Sequence, residues 1–262
     1  MIKHLHFQDF DVDTYPFTIP SIQYTKDLDL SHKISIFVGD NGSGKSTLLK
    51  AIAYYNNSIN VSKNDINSPY YLDSKELASK MRLSYSVKQR AGFFFSGEEF
   101  ITYINSLKTM KAQIESDIAE IKKEFKGKNA YSLQLALGPL NSQLYELKET
   151  YQGELNQKSH GEGFLTFFKS RMHQKGIYLL DEPETPLSAI NQYQLVVMIT
   201  DLVRNGSQVI IATHSPIIMA LKGAKIYNFT EEGIKEINYE DIESVQFTKH
   251  FLNDKDNFIE RL

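Results

Sequence analysis

The 262-residue chain has no cysteine, which excludes disulfides, iron–sulfur clusters and cysteine-ligated zinc. No apolar run approaches the ~20 residues of a membrane span, and the opening Met1-Ile2-Lys3-His4-Leu5-His6-Phe7-Gln8-Asp9 lacks the long apolar core of an export signal. No membrane insertion is expected, and a cytoplasmic location fits best. The net charge of −3 gives no global pull towards nucleic acid, so any such binding must come from a local patch or a partner. A metal-dependent nuclease domain is not expected in the few residues after 240. With 41% hydrophobic and 23% charged residues, the composition is that of a globular protein, long enough for one large core or a core plus a subdomain.

The chain is organised around Gly39-Asp40-Asn41-Gly42-Ser43-Gly44-Lys45-Ser46-Thr47, which fits G-x-x-x-x-G-K-[ST] without a gap. The run Ile34–Val38 before it reads as a strand, and Leu48–Ala53 after it as a helix. Glycines at 39, 42 and 44 let successive backbone N–H groups, with those of Asn41 and Ser43, face the β- and γ-phosphates of a nucleotide such as ATP. The new helix points its positive end at the same anions. Lys45 adds a point charge, and the Ser46 hydroxyl is a ligand for Mg²⁺.

A second landmark is Gly176-Ile177-Tyr178-Leu179-Leu180-Asp181-Glu182-Pro183, an apolar strand ending in two carboxylates. Asp181 is expected to hold Mg²⁺ through water or Ser46, and Glu182 to orient and deprotonate the attacking water. A helix is expected over Ala189 to Arg204, then a strand Gln208–Thr213, then His214, which ends in line with Asp181 and Glu182 and could reach a γ-phosphate.

The remaining chain is expected to carry short strands at Lys3–Phe7 and Pro16–Ile19, loops around short elements over 56–75, and a strand Ala91–Ser96 followed by Glu98 and Glu99. Tyr15 and Phe17 are candidates to stack on adenine. Apolar residues at Ile104, Leu107, Ile114, Ile118, Ile121 and Phe125, and again at Leu133, Leu137, Leu140, Leu144, Leu147 and Tyr151, form two heptad seams joined by Lys126-Gly127-Lys128-Asn129. They predict an antiparallel helical hairpin whose first helix would reach about 37 Å. Pro139 should kink or split the second helix. Lys122, Lys123, Lys126 and Lys128 make the hairpin's tip locally basic.

Together, Gly39–Thr47, Leu179–Glu184 and Ala212-Thr213-His214-Ser215 resemble the ATP-binding-cassette ATPases. More closely, the chain is similar to the small stand-alone ATPases related to the RecF and SMC head domains. The resemblance implies an α/β P-loop NTPase of the ABC-ATPase type, with a β-rich N-terminal subdomain and an inserted coiled-coil-like helical lobe. The core would comprise 1–100 and 156–262, and the insertion 101–155. It further implies an ATP-dependent head-to-tail homodimer, in which Ser159 and the Gly161 backbone contact the partner's γ-phosphate and Thr185–Ser188 crosses the dimer axis. Ser159 precedes Asp181 by 22 residues, a usual interval. A role in DNA maintenance or defence is implied, with DNA or protein engaged through the insertion; the alternative is the ATPase subunit of a membrane transporter. Two positions depart from the pattern. Ser159-His160-Gly161-Glu162-Gly163 replaces the usual Leu-Ser-Gly-Gly-Gln, and no glutamine directly follows Phe95, leaving Gln89 and Glu98 as open candidates for that role.

Overall fold

The computed structural model describes residues 1–60, 71–87, 91–126, 129–150 and 160–259. In chain order its first elements are β1 (Ile2–Phe7), α1 (Pro20–Gln23), β2 (Asp27–Asp29), β3 (Ile34–Gly39), α2 (Lys45–Asn56), β4 (Ile59–Asn60), α3 (Leu72–Ser79), β5 (Met81–Tyr85) and β6 (Gly92–Ser96). Then come α4 (Gly97–Glu124), α5 (Ala130–Thr150), α6 (His160–Arg171), β7 (Ile177–Asp181), α7 (Ala189–Arg204), β8 (Gln208–Ala212), α8 (Pro216–Met219), β9 (Lys225–Thr230), β10 (Gly233–Ile237), α9 (Glu243–Asn253) and α10 (Lys255–Ile259).

Among the described residues, the central sheet has the order β10-β9-β3-β8-β7-β6-β4. Its strands are parallel except β10, which pairs antiparallel with β9 as a hairpin. Both faces of the sheet are covered, which is why its strands read as continuous apolar runs. Alternation divides each strand between two cores. Phe37, Phe94, Leu179, Ile210 and Ala212 face α2, α3 and the N-terminal elements. Ile36, Val38, Phe95, Leu180 and Ile211 face α4, α6, α7 and α8.

A smaller antiparallel sheet, β2-β1-β5, caps the first face. Gln208, fully buried at the start of β8, staples the two sheets together. Its Oε1 accepts from the Ile2 backbone N–H at 2.7 Å, while its Nε2 donates to the carbonyls of Leu30 at 2.6 Å, Ile2 at 3.0 Å and His32 at 3.2 Å.

The strand expected at Pro16–Ile19 is instead a turn leading into α1, closed by Phe17 N–H to Thr14 O and Ile19 N–H to Pro16 O. Its apolar spacing arises because Phe17 and Ile19 are buried in the first core. Within 56–75, expected as loops around short elements, β4 and the start of α3 are such elements. Helices α4 and α5 pack together as a hairpin, with Ile104, Ile114 and Leu137 buried. Residues 127–128 of its link lie outside the described residues, as do Tyr151 and Ser159. Pro139 does not split α5, which runs through it, and the four positions before it include exposed Leu135 and Gly138, so little packing opposes the adjustment.

Replacing Gln208 with Leu leaves Ile2 N–H and the Leu30 carbonyl buried without their partner. A loss of about 3 kcal/mol is expected in urea unfolding, with the m-value unchanged.

Candidate functional site

Strand β3 ends at Gly39 and the loop to α2 carries Asn41, Gly42, Ser43 and Gly44, with Lys45, Ser46 and Thr47 forming the first turn of α2. Gly44 is the helix N-cap with φ +99°, a left-handed conformation, and a Cβ there would lie 3.0 Å from Ile19 and 3.1 Å from Ser21. No side chain caps this helix start, so its first N–H groups are presented to the loop's concavity. The buried Ser43 Oγ has no hydrogen-bond partner, which marks a polar position suited to an anion's oxygen. Lys45 is buried, its Nζ donating to Gly39 O at 2.8 Å and Asp40 O at 2.7 Å. Burial pushes the Lys45 ammonium pKa down, opposed by the carboxylates of Glu182, Asp181, Asp40 and Glu184. A buried cation facing a glycine-lined cradle with an orphan hydroxyl fits a polyphosphate.

From α2, Ser46 Oγ donates to Asp181 Oδ1 at 2.8 Å, joining the helix start to the end of β7. Asp181 is buried, and desolvation raises its pKa to about 6 against the Ser46 hydrogen bond and the Lys50 charge. Two neighbouring oxygen donors suit Mg²⁺, which keeps several of its waters. Among the described residues there is no cluster of three or more metal-ligating side chains that would favour a closed protein cage.

Glu182 follows in a left-handed conformation, φ +45°, unusual for a residue with a side chain. Its N–H donates to Ala212 O at 2.8 Å, and its carbonyl accepts from Thr185 N–H at 3.2 Å and Thr185 Oγ1 at 3.0 Å. The carboxylate lies 3.9 Å from His214 Nε2, and both side chains are 42% accessible. The structure therefore brings Ser46, Asp181, Glu182 and His214 to the same edge of the sheet.

Of the two aromatic candidates, Phe17 is buried and stacks on Phe10 at 4.7 Å between ring centroids. Tyr15 is half exposed, its hydroxyl 3.2 Å from Thr47 Oγ1 at the start of α2. Gly161 lies in the first turn of α6, on the opposite face of the sheet from α2. Gln89 lies outside the described residues, and Glu98 is exposed in the first turn of α4.

Sequence reasoning missed three residues. Glu99, read as trailing a strand, is buried in α4, where it pairs with Lys50 at 3.4 Å and accepts from Tyr71 at 2.6 Å and Asn60 at 3.3 Å. Gly97 opens α4 against the Glu182 turn, where a Cβ would stand 2.3 Å from the Glu182 carbonyl oxygen. Glu184 accepts from Thr213 Oγ1 and the His214 N–H, each at 2.7 Å. The one available signal was an acid between apolar neighbours, Glu99 beside Phe95 and Phe100.

This mostly parallel sheet, glycine loop and acid-tipped strand define a P-loop NTPase fold. A family model described as an AAA ATPase domain matches residues 79–219, and a second, described as an AAA domain, matches residues 19–91. The chain belongs to the AAA ATPase domain family. It is 25% identical over 203 residues to the macrolide export ATP-binding/permease protein MacB of Hahella chejuensis, covering 74% of this chain and 28% of that relative's length. Among solved structures, it is similar to a metal-chelate type ABC transporter in an inward-facing conformation, at 18% identity and TM-score 0.47 over 95% of this chain and 89% of that one. The SMC head domain from Thermotoga maritima aligns at 15% identity and TM-score 0.42, covering 90% of this chain and 99% of that one.

The raised Asp181 pKa has a sign in stability. A folded carboxyl that holds its proton more tightly than the unfolded one makes nucleotide-free stability fall as pH rises from about 4 through about 6. Asp181→Asn should therefore be more stable than wild type at pH 8 by on the order of 2 kcal/mol, the difference shrinking towards pH 4. Thermal melts across that range in magnesium-free buffer measure it.

Gly97→Ala drives a methyl into the Glu182 carbonyl, and a loss of about 1–3 kcal/mol is expected by overpacking. A melting temperature equal to wild type would show that α4 and the turn separate without penalty.

Proposed function

We propose that the chain binds and hydrolyses ATP and that bound ATP closes two copies head to tail, making a nucleotide-gated switch. The single observation that carries this reading is the Ser46–Asp181 hydrogen bond, 2.8 Å long, with the Glu182 carboxylate on the next residue and His214 facing it.

The backbone N–H groups over Gly39–Thr47 would wrap the phosphates, and Lys45 would exchange its two loop carbonyls for phosphate oxygens. Tyr15, above Thr47, offers an aromatic face to adenine. Mg²⁺, held by Ser46 and Asp181, would neutralise charge on the β- and γ-phosphates. Glu182 would orient the attacking water and accept its proton, its conformation fixed by the Ala212 and Thr185 bonds. His214 would donate to the γ-phosphate side. Because α6 packs on the sheet face opposite α2, Gly161 would meet the nucleotide of a second copy, and the family resemblance gives Ser159 the same role.

The helical hairpin beyond the buried base of α4 is the arm through which a DNA or protein partner would sense closure, in DNA maintenance or defence. The exporter relative supports a second reading, the ATPase subunit of a membrane transporter. No helix among the described residues is long and apolar enough to cross a membrane, so that reading needs a separate permease. Co-purification with and without ATP separates the two by what is recovered.

Glu182→Gln keeps the side-chain shape and the Ser46–Asp181 pair but cannot take the water's proton. It is expected to lose at least about a hundredfold in turnover, retain ATP, and run as a dimer by light scattering with ATP and Mg²⁺ in the buffer. Turnover at the wild-type rate removes Glu182 as the base. An inactive variant that stays monomeric with ATP bound removes the dimer.

A further inference from the structure

The loop after β7 and the loop after β8 are joined by a closed ring of hydrogen bonds. Glu184 Oε1 accepts from Thr213 Oγ1 at 2.7 Å, and Thr213 Oγ1 accepts from the Ser215 N–H at 3.0 Å. Ser215 Oγ donates to Gln192 Oε1 at 2.6 Å, and Gln192 Nε2 donates to the Leu187 carbonyl at 3.1 Å. The Leu187 N–H returns to the Glu184 carbonyl at 2.7 Å. Three segments are therefore tied: the turn carrying Glu182 to Ser188, the second turn of α7, and the strand end carrying His214.

His214 is attached to this ring by its backbone alone, its N–H donating to the same Glu184 oxygen at 2.7 Å. Its imidazole stays outside the ring, 3.9 Å from Glu182. Thr213 is fully buried, so its hydroxyl has no water to turn to. The other Glu184 oxygen, Oε2, is buried without a hydrogen-bond partner, an arrangement that works against stability. What the carboxylate supplies is one oxygen that holds the His214 backbone and the Thr213 hydroxyl at a single point.

We propose that Glu184 is a positioning residue that sets the His214 imidazole against Glu182 and, through Thr213, Ser215 and Gln192, locks that histidine to the Thr185–Ser188 loop. This rests on the hydrolytic reading above for its effect on turnover, though the ring itself does not. A small shift in the 185–188 loop is then passed to His214 without contact between their side chains. Glu184 does not touch substrate.

The test uses the full-length protein with Glu184→Ala, Glu184→Gln, Thr213→Val, His214→Ala and the Glu184→Ala/His214→Ala double variant. Steady-state ATP turnover, ATP affinity by calorimetry, and backbone deuterium exchange are measured for each. Glu184→Ala is expected to lower kcat about 10- to 100-fold with ATP affinity within about threefold of wild type. Glu184→Gln, which keeps Oε1 as acceptor, should return kcat to within about fivefold. On the His214→Ala background, Glu184→Ala should add nothing, because the group it positions is gone. Exchange in the segments 185–192 and 213–219 should both quicken about tenfold in Glu184→Ala. A kcat for Glu184→Ala within threefold of wild type, or a loss that multiplies with that of His214→Ala, overturns the proposal. If Glu184→Ala does not fold, Thr213→Val removes one donor at nearly constant volume and is held to the same non-additivity. A wild-type protein that turns over no ATP sinks the hydrolytic reading instead; exchange then judges the ring, and wild-type exchange at either segment in Glu184→Ala breaks it.

Discussion

The contact on which this structure depends is the hydrogen bond from Ser46 to Asp181. It joins the first turn of α2 to the tip of β7 across 135 residues of sequence. Neither partner is placed by its own neighbourhood. Asp181 sits deep because β7 lies between β8 and β6, so its backbone is held on both sides. Ser46 sits opposite because Gly44 turns the chain and α2 packs Leu48, Leu49 and Ile52 onto the sheet. Burying a carboxylate raises the energy of its charged form, and one hydroxyl donor offsets only part of that. A protein built for stability alone would place an amide or an apolar residue there. A cation bound beside Asp181 would offset the cost of its charge.

The framework of the candidate site was legible wherever a short run of sequence fixes the backbone. Gly39–Thr47 sits between β3 and α2 as its pattern demands, and β7 and β8 were readable because strands buried on both faces are apolar without interruption. Helix α7 spans Ala189–Arg204 as expected, since Ser188 caps it by accepting from the Asn191 N–H at 3.4 Å and Asn205-Gly206 ends it. The N-terminal turn was misread because burial of Phe17 and Ile19 imitates a strand's alternation. Glu99 and Glu184 were not legible as site residues. Their surroundings come from Lys50, Tyr71 and Thr213, which only the sheet's long-range crossovers bring near. Tyr15 and Phe17 were indistinguishable in sequence, and the structure separates them by packing one into the core and leaving the other above Thr47.

The two edges of the site differ in how they are held. On the β8 side, backbone and side-chain bonds close into a ring that ties the loops bearing Glu182 and His214 to one another. On the β6 side, the site is bounded by α4, three of whose first four residues each meet a different constraint. Gly97 abuts the Glu182 carbonyl, Glu99 reaches Lys50 on α2, and Phe100 packs on Phe95 at 5.3 Å and Phe164 of α6 at 5.3 Å. The base of α4 thus touches the turn bearing Glu182, helix α2 and the helix bearing Gly161.

A helix with such a base is a lever. At 1.5 Å per residue, the 28 residues of α4 extend about 42 Å, so a tilt of about 10° at Gly97 carries its far end by about 7 Å. Phe95, Phe100, Phe164 and Phe168 meet with centroids 4.7–5.3 Å apart, three of these five contacts edge to face. Withdrawal of α4 from the Glu182 turn would break the buried Glu99–Tyr71 bond and take the Phe100 ring off Phe95 and Phe164, so the packed base of α4 holds the helix to that turn.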